Sequence, residues 1–232
     1  MVRNRLRILE KMTIENYRAE EQIAELGLAR ILRECPRLRV LDIGCGSQMC
    51  LVKYLNKHGY SADGLDPELA HFGDGLMKQR ITAIWPERGC IPVPDETYDL
   101  VIAHQNPILN EGLSCLRDTE YLRLAFGEDF ERHMGIIDRE AVSLILEAMR
   151  VVKNTGAGVI YPNIDLLKRR LNGQLELRKW IISENEVDCV PYFDQIVSYD
   201  EYLEEDCSSS LGRRTIITRT ETNSVIKKAL GL

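Results

Sequence analysis

The chain has 232 residues, of which 44% are hydrophobic and 28% charged, with a net charge of -6. This is ordinary globular composition, long enough for one α/β domain and short for two, and it excludes a fibre or a disordered chain. The acidic balance, with a pI near 5.4, argues against a broad nucleic-acid-binding surface, so a nucleic-acid partner is not expected.

Seven cysteines, at 35, 45, 50, 90, 115, 189 and 207, form no CxxC pair and no metal spacing with histidine. Reduced thiols in a cytoplasmic protein are expected, with no metal. The basic start MVRNRLRILEKM lacks the apolar stretch of a secretory signal, and no run is long enough to span a bilayer, so no membrane association is expected.

Residues 14–34 place Ile23, Leu26, Leu28, Ile31 and Leu32 near one helical face and predict a helix ended by Pro36. RVLDI, 39–43, predicts a buried strand that stops at glycines. A helix follows in MCLVKYLNKH, with Gly59 as its stop. SADGLD (61–66), ITAIW (81–85) and YDLVIA (98–103) predict further strands. Residues 138–152 predict a helix capped by Asp138, and Gly156 and Gly158 lead into the strand GVIYP. A polar, Arg-rich helix is expected around 164–181, then strands at DQIVSY (194–199) and RRTIITRT (213–220).

This alternation predicts a Rossmann-like α/β domain: a mainly parallel sheet with helices on both faces and ligands at the carboxyl ends of the strands. The expected organisation is a single domain over 1–232. It comprises an N-terminal helical lid (1–35), a cofactor-binding core (38–162), an inserted cap (107–137) and a C-terminal helix and strands (163–232). The cap is expected because 31 residues stand where a short connection would suffice, and Tyr121, Phe126 and Phe130 would close over an acceptor or form the cap's own small core. Tyr17 and the first helix would close the other side, or simply pack on the sheet.

The chemistry lies first in VLDIGCGSQ. Gly44 and Gly46 let the chain turn sharply off the strand and approach a ligand closely. A dinucleotide fingerprint needs a third glycine where Met49 stands, and Asp42 would repel a pyrophosphate. Asp42 suits an ammonium. Asp66, ending the next strand, is placed to hold the two hydroxyls of a ribose, or to cap a helix starting near Pro67. An adenosine joined to an amino acid would satisfy both carboxylates.

On these residues the chain resembles the class I S-adenosylmethionine-dependent methyltransferases, in particular their small-molecule branch. VLDIGCGSQ is similar to the family's first motif and GLDPE (64–68) to its second. IPVPDETYDLVIA (91–103) resembles the stretch into its fourth strand, and EAMRVVKNTGAGVIY (147–161) its next helix, turn and strand. The resemblance implies a seven-stranded sheet with an antiparallel last strand, and S-adenosylmethionine as cofactor. It would place Gly44, Cys45 and Gly46 at the methionine end, with Asp42 and the carbonyls of Ala103 and His104 facing the amino group. Asp66 and Pro67 would lie at the ribose, and Glu87 with the Arg88 backbone at the adenine. Gln48 replaces a small residue of the first motif, and Asn154-Thr155 replace a Pro-Gly pair before Gly156.

His104 follows the fourth predicted strand, where methyl group and acceptor would meet. It is the candidate catalytic base, or else a polar neighbour contributing only backbone. His133 is read as a surface residue. Asn106-Pro107 is read as a loop turn rather than an amine-methylation motif, and Lys168, Arg169 and Arg170 as a solvated helix face. The expected activity is methyl transfer to a small-molecule acceptor. The alternatives are a noncatalytic cofactor-binding or partner protein, a nicotinamide-dependent oxidoreductase, and a methyltransferase acting on RNA or protein.

Overall fold

A computed structural model describes residues 14–66, 91, 93–113, 119–186 and 212–232. In chain order the elements are α1 (Ile14–Glu25), α2 (Ala29–Glu34), β1 (Arg39–Ile43), α3 (Cys50–Lys57), β2 (Ser61–Leu65) and β3 (Tyr98–His104). Then come α4 (Pro107–Leu113), α5 (Thr119–Phe126), α6 (Phe130–Val151), β4 (Val152–Tyr161), α7 (Leu167–Leu171) and α8 (Gln174–Leu177). The chain closes with β5 (Trp180–Glu186), β6 (Arg213–Arg219) and α9 (Ser224–Ala229).

The described strands form one six-stranded sheet in the order β2-β1-β3-β4-β6-β5. β1 to β4 are mutually parallel, and β6 runs antiparallel to both β4 and β5. Two stretches expected as strands, 81–85 and 194–199, lie outside the described residues, as do Pro67, Glu87 and Arg88.

Successive strand residues point to opposite faces, and the core divides accordingly. Val40, Leu100, Ile102, Ala157, Val159 and Ile216 pack with α1, α2, α3 and α9 on one face. Leu41, Ile43, Val101, Ala103, Ile160 and Ile217 pack with α4, α6 and α7 on the other. Continuing the same alternation to the strand ends puts Asp42, His104 and Tyr161 on the face covered by α1. The apolar pattern that buries the sheet thus also gathers its polar tips on one side.

Several expectations are corrected. The single helix over 14–34 is two, because Gly27 turns the chain at a left-handed φ of 60° and donates its N–H to the Ala24 carbonyl. Asp138 does not begin the helix: α6 starts eight residues earlier, and Asp138 lies inside it, paired with Arg170. The last eight residues of the expected insertion, 130–137, are therefore the start of this helix. Before it, α4 lies directly on α6, so close that a Cβ on Gly112 would stand 2.5 Å from the Ala141 methyl. Phe126 stacks on His133 at 4.3 Å between ring centres, and Arg123 lies over Phe130.

The expected helix around 164–181 is two short helices followed by β5. Exposure along this strand, the last of the described sheet, leaves Ser183, Glu184, Asn185 and Glu186 at least partly in solvent, and these polar residues carry no apolar strand signature. Lys168 pairs with Glu184 at 3.7 Å, in keeping with a solvated helix face. Among the described residues no helix is long and apolar enough to cross a membrane.

Candidate active site

The site is built where β1 ends. The turn after Ile43 is made by Gly44 and Gly46, both left-handed, with φ of 82° and 66°. Their environments differ. A Cβ on Gly44 would come within 2.8 Å of the Asn106 amide nitrogen, whereas no described residue lies within 4 Å of the Cβ position at Gly46. Gly44 is required by packing, and Gly46 leaves open space above the turn. Asn106, buried, also accepts a hydrogen bond from the Leu109 amide at 3.2 Å and so holds the first turn of α4. It thereby braces the glycine turn against the chain leaving β3, a firmer role than that of a simple loop turn.

Asp42 and Asp66 stand on neighbouring strands. Asp42 is in register with Gly64, two residues before Asp66, and both carboxylates are buried. Asp66 accepts a hydrogen bond from the Gly46 amide at 2.8 Å, tying the β2 tip to the turn. A Cβ on Gly64 would reach 2.6 Å from the Cys45 sulfur, so the absent side chain at 64 is what lets the turn fold over β2. Asp42 has no hydrogen bond from any described residue. Burial pushes its carboxyl up to about 7; the nearby Asp66 charge adds to this and His104 opposes it. Burial, with Asp42 and Asp66 nearby, likewise pushes the Cys45 thiol up, which disfavours its thiolate.

Over the turn lies a cleft of about 480 Å³. Gly44, Cys45, Gly46 and Ser47 form its floor, His104 and Gln105 one wall, and Arg18, Glu21, Gln22 and Glu25 of α1 the other. Asp42 and Asp66 are buried at the strand tips, outside this lining. Ala103 packs into the opposite face of the sheet, which leaves only its backbone for the ligand edge.

What the sequence reading missed are the acidic residues that α1 brings to this wall. Glu25 is buried, 4% exposed, and its Oε2 is hydrogen-bonded to His104 Nε2. Glu21, one turn earlier, also lines the cleft, and burial together with Glu25 pushes its carboxyl up. The only signal in the sequence was a pair of glutamates, at 21 and 25, four residues apart beside the apolar face of α1. Gln48, the departure from the first motif, is exposed and accepts a hydrogen bond from Arg18 at 2.7 Å. It links turn to wall. Asn154 and Thr155 lie within β4, where Gly156 still allows close approach: a Cβ there would sit 2.5 Å from the Asp99 carbonyl.

No protein-family model matches the chain, and no curated protein matches it. Among solved structures it is similar to a SAM-dependent methyltransferase from Aquifex aeolicus, at 13% identity and TM-score 0.41, covering 84% of this chain and 91% of that one. It is also similar to a TehB-like SAM-dependent methyltransferase from Corynebacterium glutamicum, at 17% identity and TM-score 0.43, covering 85% and 89%. A third similarity is to the [4+2]-cyclase SpnF, at 14% identity and TM-score 0.44, covering 88% and 82%.

Proposed function

We propose that the protein transfers a methyl group from S-adenosylmethionine to a small organic acceptor. The observation that carries this is the pair Asp42 and Asp66 on adjacent strand tips, flanking a glycine turn that opens into a polar cleft. Asp42 is a buried carboxylate without a donor among the described residues, so an incoming ammonium would supply what its environment lacks. Asp66, which accepts a hydrogen bond from the Gly46 amide, stands at the neighbouring strand tip, where a carboxylate would hold ribose hydroxyls.

The residues present fit the cofactor. Gly44, Cys45 and Gly46 would lie along its methionine end, with the backbone of Ala103 and His104 opposite. Pro67 would flank the ribose, and Glu87 and Arg88 the adenine. Residues 81–85 would add a seventh strand beyond β2, with Arg213–Arg219 as the antiparallel last strand. The sulfonium of S-adenosylmethionine brings an already activated methyl group, so the chain's task is to position two reactants and exclude water. The α1 wall serves that purpose, with Arg18 and Gln48 joining it to the floor. A cytoplasmic setting accords with Cys45 and Cys50, both buried free thiols.

Calorimetry with S-adenosylhomocysteine, NAD and ATP tests this directly. S-adenosylhomocysteine is expected to bind, with Asp66→Ala weakening it at least about tenfold, the loss of one charge-assisted contact. Preferential binding of NAD or ATP, or wild-type affinity in Asp66→Ala, would overturn the proposal.

A further inference from the structure

At the amino ends of β3 and β4, the edge of the sheet opposite the cleft, lies another cavity, of about 360 Å³. β5 begins here and β6 ends here. Trp180 and Arg219 are direct partners across these two strands, so both side chains stand on the face covered by α6. Leu146 and Met149 of α6 and the buried Trp180 form the apolar lining, and Arg150, Arg178, Arg219, Asp95 and Glu96 the polar one.

The three arginines are not equivalent. Arg150 donates to Glu147, to Asp95 at 2.6 Å and to the carbonyls of Ile91 and Val93, so its donors are used and its charge is balanced. Arg219 has only neutral acceptors, the Met149 carbonyl at 2.6 Å and the Asn154 side chain, and its buried Nε has none. Arg178 lies over the Trp180 ring, 5.4 Å from its centre, and bonds only the Gln174 amide oxygen, at 3.4 Å. Neither Arg178 nor Arg219 has a carboxylate at ion-pair distance among the described residues. The carboxylates nearby are engaged: Asp95 with Arg150, Glu96 with the Asn154 amide, and Glu221 with Lys179 at 3.3 Å.

Two guanidinium groups thus stand beside one buried indole without a counter-ion, and for the partly buried Arg219 that is unfavourable. A guanidinium fork matches the oxygens of a phosphate or a carboxylate in paired hydrogen bonds. We propose that this cavity binds a small dianion, a phosphate monoester or a dicarboxylate, held by Arg178 and Arg219, with Leu146, Met149 and Trp180 against its carbon body. Arg150, locked in its own network, braces the wall. Asp95 and Glu96 in the same lining would repel a longer polyanion, so a nucleic-acid strand is not the ligand. The site shares no residue with the cleft, and it stands or falls independently of the methyl-transfer reading.

Trp180 reports on the site. Trp85 is the only other tryptophan in the chain, so in Trp85→Phe all tryptophan emission comes from Trp180. Inorganic phosphate and malonate, each titrated at constant ionic strength, are the probes. At least one should change this emission saturably, as the cation over the ring is drawn to the anion, and calorimetry on the unsubstituted chain should give the same dissociation constant. The tighter of the two assigns the ligand as phosphate or dicarboxylate. Arg178→Gln should raise that constant about tenfold or more, the loss of one charge-assisted contact, and Arg178→Lys should restore only part of it because the fork is gone. Arg178 is exposed and holds no buried group, so its variants keep the fold even if Arg219→Gln does not. Arg169→Gln, on the solvated face of α7, should bind like the wild type. Absence of a saturable response to both anions overturns the proposal. So does affinity that survives Arg178→Gln, a loss in Arg169→Gln as large as in Arg178→Gln, or binding of a single-stranded oligonucleotide in place of both anions.

Discussion

The side-chain amide of Asn106 stands 2.8 Å from the place where a Cβ on Gly44 would be, so the chain leaving β3 is packed against the turn that leaves β1. Gly44→Ala therefore meets two costs together, a left-handed φ of 82° and a collision with a buried side chain. A loss of about 1–3 kcal/mol is expected in chemical denaturation. Gly46→Ala shares the φ cost but meets no atom of the described residues, so it should unfold less readily than Gly44→Ala while still obstructing the space above the turn.

Asp66→Asn isolates charge from geometry. Its side-chain carbonyl can still accept the Gly46 amide, so the melting temperature should stay near that of the wild type. Affinity for S-adenosylhomocysteine should nonetheless fall, because a neutral amide binds hydroxyls more weakly than a carboxylate does. Equal losses of stability and affinity would show that Asp66 only holds the turn.

Asp42 makes stability depend on pH in a calculable direction. Its carboxyl moves from an ordinary value of 3.8 to about 7 on folding, so between those values the folded chain holds a proton the unfolded chain has lost. Stability should fall as pH rises through that window and level off above it. Asp42→Asn should remove this slope, gaining about 2–4 kcal/mol relative to wild type at pH 8 and nothing near pH 3. Binding of S-adenosylhomocysteine to the wild type should weaken as pH falls below about 7, since an ammonium requires the ionised carboxylate.

Arg214 holds the α1 wall in place from beneath. Buried on β6, it donates to the carbonyls of Leu26, of Gly27 at 3.0 Å and of Leu230 at 2.8 Å, joining the turn after α1 to the chain end after α9. Arg214→Met would strip donors from these carbonyls at once and should cost about 3 kcal/mol or more. Hydrogen exchange should rise first at Leu26 and Gly27, and His104 should lose its contact with Glu25 as α1 loosens.

What the sequence by itself determined is the part of the molecule written in neighbouring residues. The apolar run of RVLDI, the two glycines after it and the amphipathic stretch after those force a strand, a turn and a helix, because each depends on spacing within a few residues. The alternation of Val40 with Asp42 and of Ile102 with His104 likewise settled which side chains share a face once strand character was recognised. Only the tertiary structure decided the rest. β5 is strand because β6 supplies its hydrogen bonds, from Trp180 with Arg219 to Glu186 with Arg213, while its own residues are mostly polar. Glu25 and His104 meet because a left-handed Gly27, a buried arginine on β6 and the core under α1 bring a helix to the tip of a strand far along the chain. Such a contact is fixed by packing over many residues, and no local pattern of charge or hydrophobicity contains it.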